Sequence, residues 1–368
     1  MTGISRIGIN HIRCIRHAEF TLHPNFTLLC GPNGSGKTSV LEAIHILSLA
    51  RSFRTQNITK VISDDANKCS VIADYTDLSG GKKVIGVEKN REGDTLMRID
   101  RQTIKTAAEL TSLLPLRIIS QESYSLIDGS SKGRRQLLDW LAFHVEPQFN
   151  QTWGMTQRLL KQRNALLKRK HGFDVNELNS WDTELSQYSE QLNEFRMDAF
   201  RRFSEHFITY ITELLPSATL RLDLYKGWPE GQTLRESLLA GIERDRKLGY
   251  THHSPNRADI AIKAGNKLAA ECLSRGQKKI LVYALVLAQV ATLFSSLKEK
   301  HQQLRTLVLI DDMGAELDIK NQNLLLDTLV RCNSQVLITG TELAWMKNAI
   351  SPDRCKLFHV EQGAINLA

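Results

Sequence analysis

Residues 31–38 read Gly-Pro-Asn-Gly-Ser-Gly-Lys-Thr and fit the pattern Gly-x-x-x-x-Gly-Lys-Ser/Thr of a phosphate-binding loop. In such a loop the glycines let consecutive backbone N–H groups point inward, around anionic oxygens. The flanking segments agree, because the apolar run 26–30 predicts a short buried strand and residues 38–47 predict a helix. The positive end of that helix would face the phosphates. The sequence therefore predicts an α/β fold built around a nucleoside triphosphate.

Two side chains of this loop have predicted chemical roles. Lys37 is predicted to reach the β- and γ-phosphates, and the Thr38 hydroxyl is a predicted ligand of Mg²⁺. The predicted cofactors are therefore ATP and Mg²⁺. The predicted ATP contacts are Gly31, Pro32, Asn33, Gly34, Ser35, Gly36, Lys37, Thr38 and Ser39.

A loop of this type needs a second strand that carries a carboxylate for the metal. Residues 307–310 read Leu-Val-Leu-Ile, which is typical of a strand buried on both faces, and two acids follow directly. Asp311 is the predicted Mg²⁺ carboxylate, and Asp312 is predicted to lie near the attacking water. Lys37, Asp311 and Asp312 form the predicted catalytic set. The alternative is a strand that ends in a solvated acidic turn.

The run 273–277, Leu-Ser-Arg-Gly-Gln, looks like the signature peptide of the ABC-type ATPases. Ser274 is a favourable N-cap and residues 277–294 predict an apolar helix, so free N–H groups at its start form a second anion site. One chain needs one phosphate cradle, which favours two copies that sandwich two ATP molecules. The alternative is that Ser274 only caps a core helix. The predicted contacts to the partner's triphosphate are Ser274, Arg275, Gly276 and Gln277.

Three further assignments come from this resemblance to ABC-type ATPases. Residues 315–318, Ala-Glu-Leu-Asp, resemble the D-loop and open a predicted helix 315–331, which implies that Asp318 lies at the subunit interface. These ATPases usually place a switch histidine after the next buried strand, where this sequence offers Thr339 or Thr341. Gln121 is the candidate Q-loop glutamine, with an ordinary loop residue as the alternative.

Composition limits the class of protein. The 368 residues are 42% hydrophobic and 24% charged, which is ordinary for a soluble globular chain with one or two lobes. The six cysteines form no C-x-x-C pair, so buried free thiols in a reducing cytoplasm are expected. No signal peptide is recognised at the start, and the apolar run 280–294 is shorter than a membrane span. We therefore expect a soluble protein rather than a transporter.

The charge is basic and unevenly distributed. A formal net charge of +8 and a pI near 9.1 favour a polyanionic partner. Between Lys132 and Lys170 the sequence has nine basic residues and only two acids, Asp139 and Glu146. Such side chains are predicted to follow the phosphate backbone of DNA, and the alternative is a solvated helical face. The DNA-binding candidates are Arg134, Arg135, Lys161, Arg163, Lys168, Arg169 and Lys170.

Hydrophobic periodicity divides the chain into three parts. Residues 1–120 are rich in predicted strands, among them 4–15, and contain the phosphate-loop helix. Residues 121–270 are mainly helical, and a stripe with steps of four and three along 181–199 predicts a short antiparallel helix pair. Residues 271–368 hold the signature, the acidic strand and a final hairpin. Since the two motif-bearing strands must share one sheet, the helical lobe is predicted to be an insertion within an ABC-type P-loop ATPase head.

Several strings resemble the RecF family, bacterial recombination-mediator ATPases related to the SMC chromosome proteins. They are Gly133-Arg-Arg-Gln-Leu-Leu-Asp139, Leu159-Leu-Lys-Gln-Arg-Asn164 and Ser52-Phe-Arg54 after Leu41-Glu-Ala-Ile44. The first two are specific to that family, and the resemblance runs nearly end to end. A departure is Ser254-Pro-Asn-Arg257, where the family has Gly-Pro-His-Arg.

The resemblance implies an ATPase that dimerises on binding ATP and engages gapped DNA at single-/double-strand junctions. It implies partners RecR and RecO, and loading of the recombinase RecA onto DNA coated by single-strand-binding protein. The implied processes are gap repair, replication restart and the SOS response. Hydrolysis would be slow, stimulated by DNA, and would reset the clamp. The implied location is the cytoplasm, at the nucleoid.

Three other classes fit less well. A transporter's ATPase subunit predicts a switch histidine and a signature about 100 residues after the loop, whereas here the two motifs are far apart. An SMC-like protein with long arms requires a longer chain. An endonuclease of the same superfamily requires additional metal-binding acids near the C-terminal end.

Overall fold

A computed structural model describes residues 3–77, 80–169, 174–302, 304–313, 317–341 and 350–368. Two compact units make up the chain: unit 1 comprises residues 1–124 with 285–368, and unit 2 comprises residues 125–284. Lys170 and the D-loop residues 315–316 lie outside the described residues, so the predictions made for them stay predictions.

The first sheet of unit 1 contains the motif-bearing strands. Its order is β15-β14-β3-β13-β12-β8, and all neighbours are parallel except the β14–β15 hairpin. Strands β3, β12 and β13 are almost wholly buried, as expected for strands covered on both faces. The ranges are β3 Phe26–Cys30, β8 Leu116–Ile119, β12 Leu307–Ile310, β13 Gln335–Gly340, β14 Cys355–Glu361 and β15 Ala364–Leu367.

The second sheet of unit 1 is antiparallel, in the order β2-β1-β4-β5-β6-β7. The single strand predicted over 4–15 is wrong, because the chain turns between Ile12 and Ile15, which pair with each other. Arg13 in this turn has a φ of 55°. Apolar alternation continues through the turn and hides it. The ranges are β1 Gly3–Ile12, β2 Ile15–Thr21, β4 Lys68–Thr76, β5 Lys82–Asn90, β6 Thr95–Ile99 and β7 Gln102–Ile104.

Helices complete the core of unit 1. Helix α1, Lys37–Leu49, buries Leu41 and Ile44 in one hydrophobic cluster with side chains of both sheets. Helix α2, Ala107–Leu113, was not predicted and contacts α1. Helix α11 covers Ile319–Arg331, which is shorter at its start than the predicted 315–331.

Unit 2 is mainly helical. The predicted antiparallel pair is confirmed, since Thr152 of α5 bonds Gln191 of α6 while Arg163 further along α5 bonds Asp182. A three-stranded antiparallel sheet, β11-β10-β9, accompanies the helices. The helices are α3 Ser125–Asp128, α4 Ser131–Val145, α5 Phe149–Leu167, α6 Val175–Leu214, α7 Leu234–Ala240, α8 Ile242–Leu248 and α9 Ala269–Cys272. The strands are β9 Leu220–Tyr225, β10 Asp259–Ala264 and β11 Lys267–Leu268.

Helix α10, Arg275–Glu299, is longer than the predicted 277–294. By length and composition alone it could cross a membrane, so the expectation that this segment is too short is corrected. In the structure 83% of its most apolar window is buried, as in the core helix of a soluble protein.

The cysteines agree only in part with the expectation of buried thiols. All six are free. Cys69 and Cys332 are buried, and burial raises the pKa of each thiol to about 11. Cys14 and Cys272 are exposed, which corrects the expectation for them.

Candidate nucleotide-binding site

The carboxyl ends of four neighbouring parallel strands carry the predicted site residues of unit 1. β3 leads into the phosphate loop, β13 ends near Thr339, β12 precedes Asp311, and β8 precedes Gln121. In open α/β sheets, ligands bind outside this edge. The sheet order, and not proximity in sequence, therefore brings these residues to one place.

Glycines set the shape of the phosphate loop. Gly34 and Gly36 have φ values of 80° and 113°, which side-chain-bearing residues rarely adopt. A Cβ on Gly31 would lie 2.2 Å from the Val360 carbonyl oxygen, and one on Gly36 would lie 3.0 Å from Cys14 Sγ. The loop therefore packs closely against the β14–β15 hairpin and the β1–β2 turn, and substitution of these glycines would force it apart.

Lys37 and Ser35 lie inside the loop. Lys37 Nζ donates to the carbonyl oxygens of Gly31 at 2.7 Å and Pro32 at 2.8 Å, and the residue is 7% exposed. Ser35 Oγ is buried without a hydrogen-bond partner among the described residues. A buried ammonium and an unsatisfied hydroxyl in one glycine-rich cradle are suited to anionic oxygens.

The two motifs meet at Asp311. The Thr38 hydroxyl donates to Asp311 Oδ1 at 3.0 Å, and the Thr339 hydroxyl donates to the same oxygen at 2.7 Å. The Asp312 amide donates to Thr339 Oγ1 at 2.9 Å. A hydroxyl and a carboxylate side by side are hard oxygen ligands, so this donor set fits Mg²⁺.

Burial is the main reason why the pKa of Asp311 is raised above its ordinary value, with the nearby Asp312 and Glu122 acting in the same direction. The hydrogen bonds from Thr339 and Thr38 act in the opposite direction. A partly desolvated carboxylate beside a second acid is an environment that a bound cation stabilises.

Other predicted residues of this edge lie at its rim. Asp312 has a φ of 55° and is exposed. Thr341 is exposed and its carbonyl accepts from Cys30 Sγ, and Gln121 is exposed in a short 3₁₀ turn after β8. Asp318 caps α11, accepting from the Asn321 amide at 2.8 Å. Local capping explains the position of Asp318, and its interface role stays a prediction.

The signature peptide lies in unit 2 and begins α10. Ser274 and Gln277 form a reciprocal cap, because the Ser274 amide donates to Gln277 Oε1 and the Gln277 amide donates to Ser274 Oγ. Ser274, Arg275 and Gly276 are exposed, and a Cβ on Gly276 would meet no atom within 4 Å. In this arrangement the serine hydroxyl accepts in the cap and keeps its proton to donate.

Several DNA-binding candidates are engaged inside unit 2. Arg163 is fully buried between Asp182 and Asp245, so its prediction as a DNA contact is wrong. The error arose because sequence composition does not tell a buried, paired arginine from an exposed one.

The other candidates are partly engaged and partly exposed. Arg134 pairs with Asp259, Arg135 donates to the Ala258 carbonyl, and Arg169 pairs with Glu177. Lys161 and Lys168 are exposed.

A cavity of about 540 Å³ borders the phosphate loop and was not predicted from the sequence. Arg13, His17 and Asp64 line it, together with Cys14 and Gly363, which pack against Gly36. Its lining comes from the β1–β2 turn, the segment 63–65 and the C-terminal hairpin. No local motif marks these segments, so only the fold could identify them.

Comparison with known proteins identifies the family. The profile of the family described as RecF/RecN/SMC N terminal domain matches residues 3–366. The chain is 38% identical, over 99% of its length and 98% of the relative, to the DNA replication and repair protein RecF of Pseudomonas fluorescens. Identity to the RecF protein of Pseudomonas syringae pv. tomato is 37% with the same coverage. This chain belongs to the RecF family.

Solved structures show the same fold. A structure titled as the recombination mediator protein RecF with ATP matches with a TM-score of 0.87 at 21% identity, covering 100% of this chain and 98% of that one. An Smc head bound to the C-winged helix domain of ScpA matches with a TM-score of 0.59 at 17% identity, covering 100% and 97%. The RecF-family chain therefore has the fold of an SMC-type, ABC-type ATPase head with an inserted, mostly helical lobe.

Proposed function

We propose that this protein is an ATP-dependent, DNA-binding recombination mediator, two copies of which close on two ATP molecules. The dimer binds gapped DNA at single-/double-strand junctions in the cytoplasm, associated with the nucleoid. With RecR and RecO it helps to load RecA in DNA repair, replication restart and the SOS response. Membership of a family of DNA replication and repair proteins supports this proposal.

The contact between Thr38 and Asp311 carries the proposal. These residues are 273 positions apart, yet the fold places the hydroxyl 3.0 Å from the carboxylate, at the mouth of the phosphate loop. The two side chains would hold Mg²⁺, which when bound supplies positive charge against the phosphate oxygens. Lys37 would leave the Gly31 and Pro32 carbonyls for the β- and γ-phosphates, and the Ser35 hydroxyl would gain a partner.

The cavity that borders the phosphate loop could accommodate the ribose and base of the nucleotide. It begins where Cys14 and Gly363 touch Gly36, and it has both polar and apolar walls. Arg13 there is oriented by two hydrogen bonds to the buried carboxylate of Glu42, at 2.8 and 2.9 Å. We infer that ribose and base lie along this wall, because a triphosphate seated in the loop directs them out of its open side.

The chemistry of the edge favours slow turnover. Asp312 would orient the attacking water, and Thr339 stands where an ABC-type ATPase usually has its switch histidine. The Thr339 hydroxyl donates to Asp311 and accepts from the Asp312 amide, so it positions the two acids. Hydrolysis, stimulated by DNA, would then act as the reset of a clamp.

The exposed signature supports closure in trans. Ser274 and Gly276 present an exposed helix N-terminus, and among the described residues no atom lies within 4 Å of a Cβ placed on Gly276, which suits a phosphoryl group brought by a second copy. Without a partner the first turn of α10 would keep these donors in solvent.

The test is ATP-dependent binding to gapped DNA by the wild type, Lys37→Ala and Ser274→Arg. Both variants should lose at least about tenfold in ATP-dependent affinity, because one loses a buried charge contact and the other blocks the partner's phosphate. Lys105→Ala, an exposed lysine of unit 1, is the matched control and should bind as the wild type does. Equal binding by all four proteins, with or without ATP, would contradict the proposal.

A further inference from the structure

One surface loop of unit 2 is held by an unusual number of charged and polar side chains. We call residues 249–258, between α8 and β10, the clamped loop. Side chains of α4, α5, α6 and α8 bond to its backbone at four points along ten residues. Most loops are held by fewer tertiary contacts and are mobile.

The first anchor is Thr251. Its amide and its hydroxyl both donate to Asn164 Oδ1 at 2.7 Å, and its hydroxyl also accepts from Arg163 at 3.0 Å. The next amide, of His252, donates to Asp245 at 3.0 Å. Arg163 holds Asp245 in turn, at 2.7 Å.

The second half of the clamped loop is held from the other side. Arg196 donates to the Pro255 carbonyl at 2.8 Å and is itself paired with Asp139. Arg135 donates to the Ala258 carbonyl, also at 2.8 Å. Directly after the loop, Asp259 pairs with Arg134. The strings 133–139 and 159–164, which carry the resemblance to the RecF family, therefore supply several of the side chains that hold this loop.

Buried ion pairs of this kind add little net stability to the folded chain. A buried ion pair loses hydration that its attraction only just repays, and apolar side chains of similar size stabilise as well or better. Burial raises the pKa of Asp182, the other partner of Arg163, which reflects this cost. What the contacts do provide is a fixed backbone, and a backbone held in place by buried side chains is typical of a binding surface.

The outer side of the clamped loop is cationic. Arg257 lies 5.5 Å from the ring centroid of Tyr250, and both are exposed. Asn256 and Gln157 exchange two hydrogen bonds of 3.0 Å, which attach the loop tip to α5. Arg257 is thus presented from a rigid tip and held over an aromatic face.

Lys161 of α5 and Lys168, which caps the C-terminal end of α5, extend this surface. Positions 157, 161, 164 and 168 lie on one helical face, because steps of three and four residues return to the same side. Gln157 and Asn164 of this face touch the clamped loop, and a Cβ on Gly249 would lie 3.6 Å from Lys168. Lys161 lies between them. In the described part of the chain neither lysine is paired with a carboxylate.

The aspartates that hold the clamped loop face inward. Asp139, Asp182, Asp245 and Asp259 are all engaged by arginines. Burial is the main reason why the pKa of His253 is lowered, with Arg244 and His252 acting in the same direction and Asp245 in the opposite direction. These four carboxylates are therefore not directed at the outer side, where Lys161, Lys168 and Arg257 are exposed.

We propose that the clamped loop and the adjoining face of α5 bind the phosphate backbone of DNA through Arg257, Lys161 and Lys168. The inference rests on the proposed DNA-binding function and assigns the surface that performs it. Contacts of this kind do not distinguish one base sequence from another, because the cations bind only the phosphates. That property suits a protein that recognises a gap rather than a sequence.

The test is the salt dependence of gapped-DNA binding with ATP. In the wild type log K should fall as log salt rises. The triple variant Lys161→Gln, Lys168→Gln, Arg257→Gln should make this negative slope shallower by about 2–3, because each lost phosphate contact contributes about 0.9. Lys161→Arg, Lys168→Arg, Arg257→Lys should keep the wild-type slope. The charge-matched control Lys82→Gln, Arg98→Gln, Lys105→Gln, exposed in unit 1, should keep it as well.

The outcomes separate this inference from the function on which it rests. A wild type that does not bind gapped DNA with ATP would overturn both. Wild-type binding with an unchanged slope in the neutralised triple variant, or an equal fall in the unit 1 control, would overturn the surface alone. ATP-dependent dimerisation of the triple variant, measured by light scattering, should equal that of the wild type, and its loss would also count against the assignment.

Discussion

The phosphate loop of unit 1 and the clamped loop of unit 2 are both rigid loops with cationic character, but they are made in opposite ways. The phosphate loop is shaped by its own glycines over eight consecutive residues, and its geometry is local. The clamped loop is shaped by side chains of four helices, among them Arg135, Asn164 and Arg196. The first kind of loop is visible as a sequence motif, and the second is visible only in the folded chain.

Breaking the buried charge network should have the largest effect. Arg163→Met leaves Asp182 and Asp245 buried without their cation and should lower the free energy of unfolding by about 3–5 kcal/mol. Arg158→Met, an exposed position on the same helix, should change it by less than about 0.5 kcal/mol. Chemical denaturation followed by tryptophan emission measures this, since every tryptophan except Trp345 lies in unit 2.

Two results would contradict this account of the clamped loop. One is an equal, small effect of both substitutions. The other is Arg163→Met protein in which the amides of Thr251 and His252 exchange with deuterium as slowly as in the wild type.

Acid should destabilise the region of the phosphate loop through the buried histidine His45. His45, in the helix that follows the phosphate loop, has its pKa lowered to about 4, chiefly by burial. Between pH 6.5 and 4 the unfolded chain binds a proton at this histidine that the folded chain does not, so stability falls as the pH falls. The loss attributable to His45 is roughly 2–3 kcal/mol. His45→Gln should flatten the pH dependence of thermal unfolding by that amount, and an unchanged dependence would contradict it.

A pair of glycine substitutions sharpens the comparison. A Cβ on Gly31 would lie 2.2 Å from the Val360 oxygen, and one on Gly227 would lie 2.1 Å from the Ser254 oxygen in the clamped loop. Each substitution by alanine should destabilise by about 1–3 kcal/mol, because backbone must move. Gly31→Ala should weaken ATP binding and Gly227→Ala should weaken DNA binding. Gly154→Ala, with open space around it in α5, should instead stabilise by about 0.4–1 kcal/mol.

Isothermal titration with ATP and with DNA separates the two effects. If either glycine variant remained folded but lost affinity for ATP and for DNA equally, the two loops would not act as separate binding sites.

The sequence predicted most of the fold and the centre of the site. β3, β12 and the helix after the loop were recognisable because their apolar runs and the motif between them are local. The turn between Ile12 and Ile15 was missed, since apolar alternation passes through it. The predicted cap Ser274 directly precedes α10, whereas α10 ends at Glu299, beyond the predicted end at residue 294.

Composition alone does not show whether a charged side chain is buried in an ion pair or exposed to solvent. Arg163 and Lys161 belong to one basic string, yet one is buried between two carboxylates and the other is exposed. The cavity beside the phosphate loop is lined by segments far apart in sequence, so no pattern announces it. Only the three-dimensional arrangement distinguishes a buried structural arginine from an exposed lysine.

The central claim is that ATP joins two copies through the phosphate loop of one and the signature of the other. Light scattering on the variant Asp312→Asn, in which we expect hydrolysis to be impaired, tests this claim most directly. With ATP and Mg²⁺ the mass should be twice the 41.6 kDa of one chain, and without nucleotide it should be that of one chain. Adding Ser274→Arg should return the ATP-bound sample to one chain. An Asp312→Asn protein that binds ATP and remains at 41.6 kDa would contradict the account.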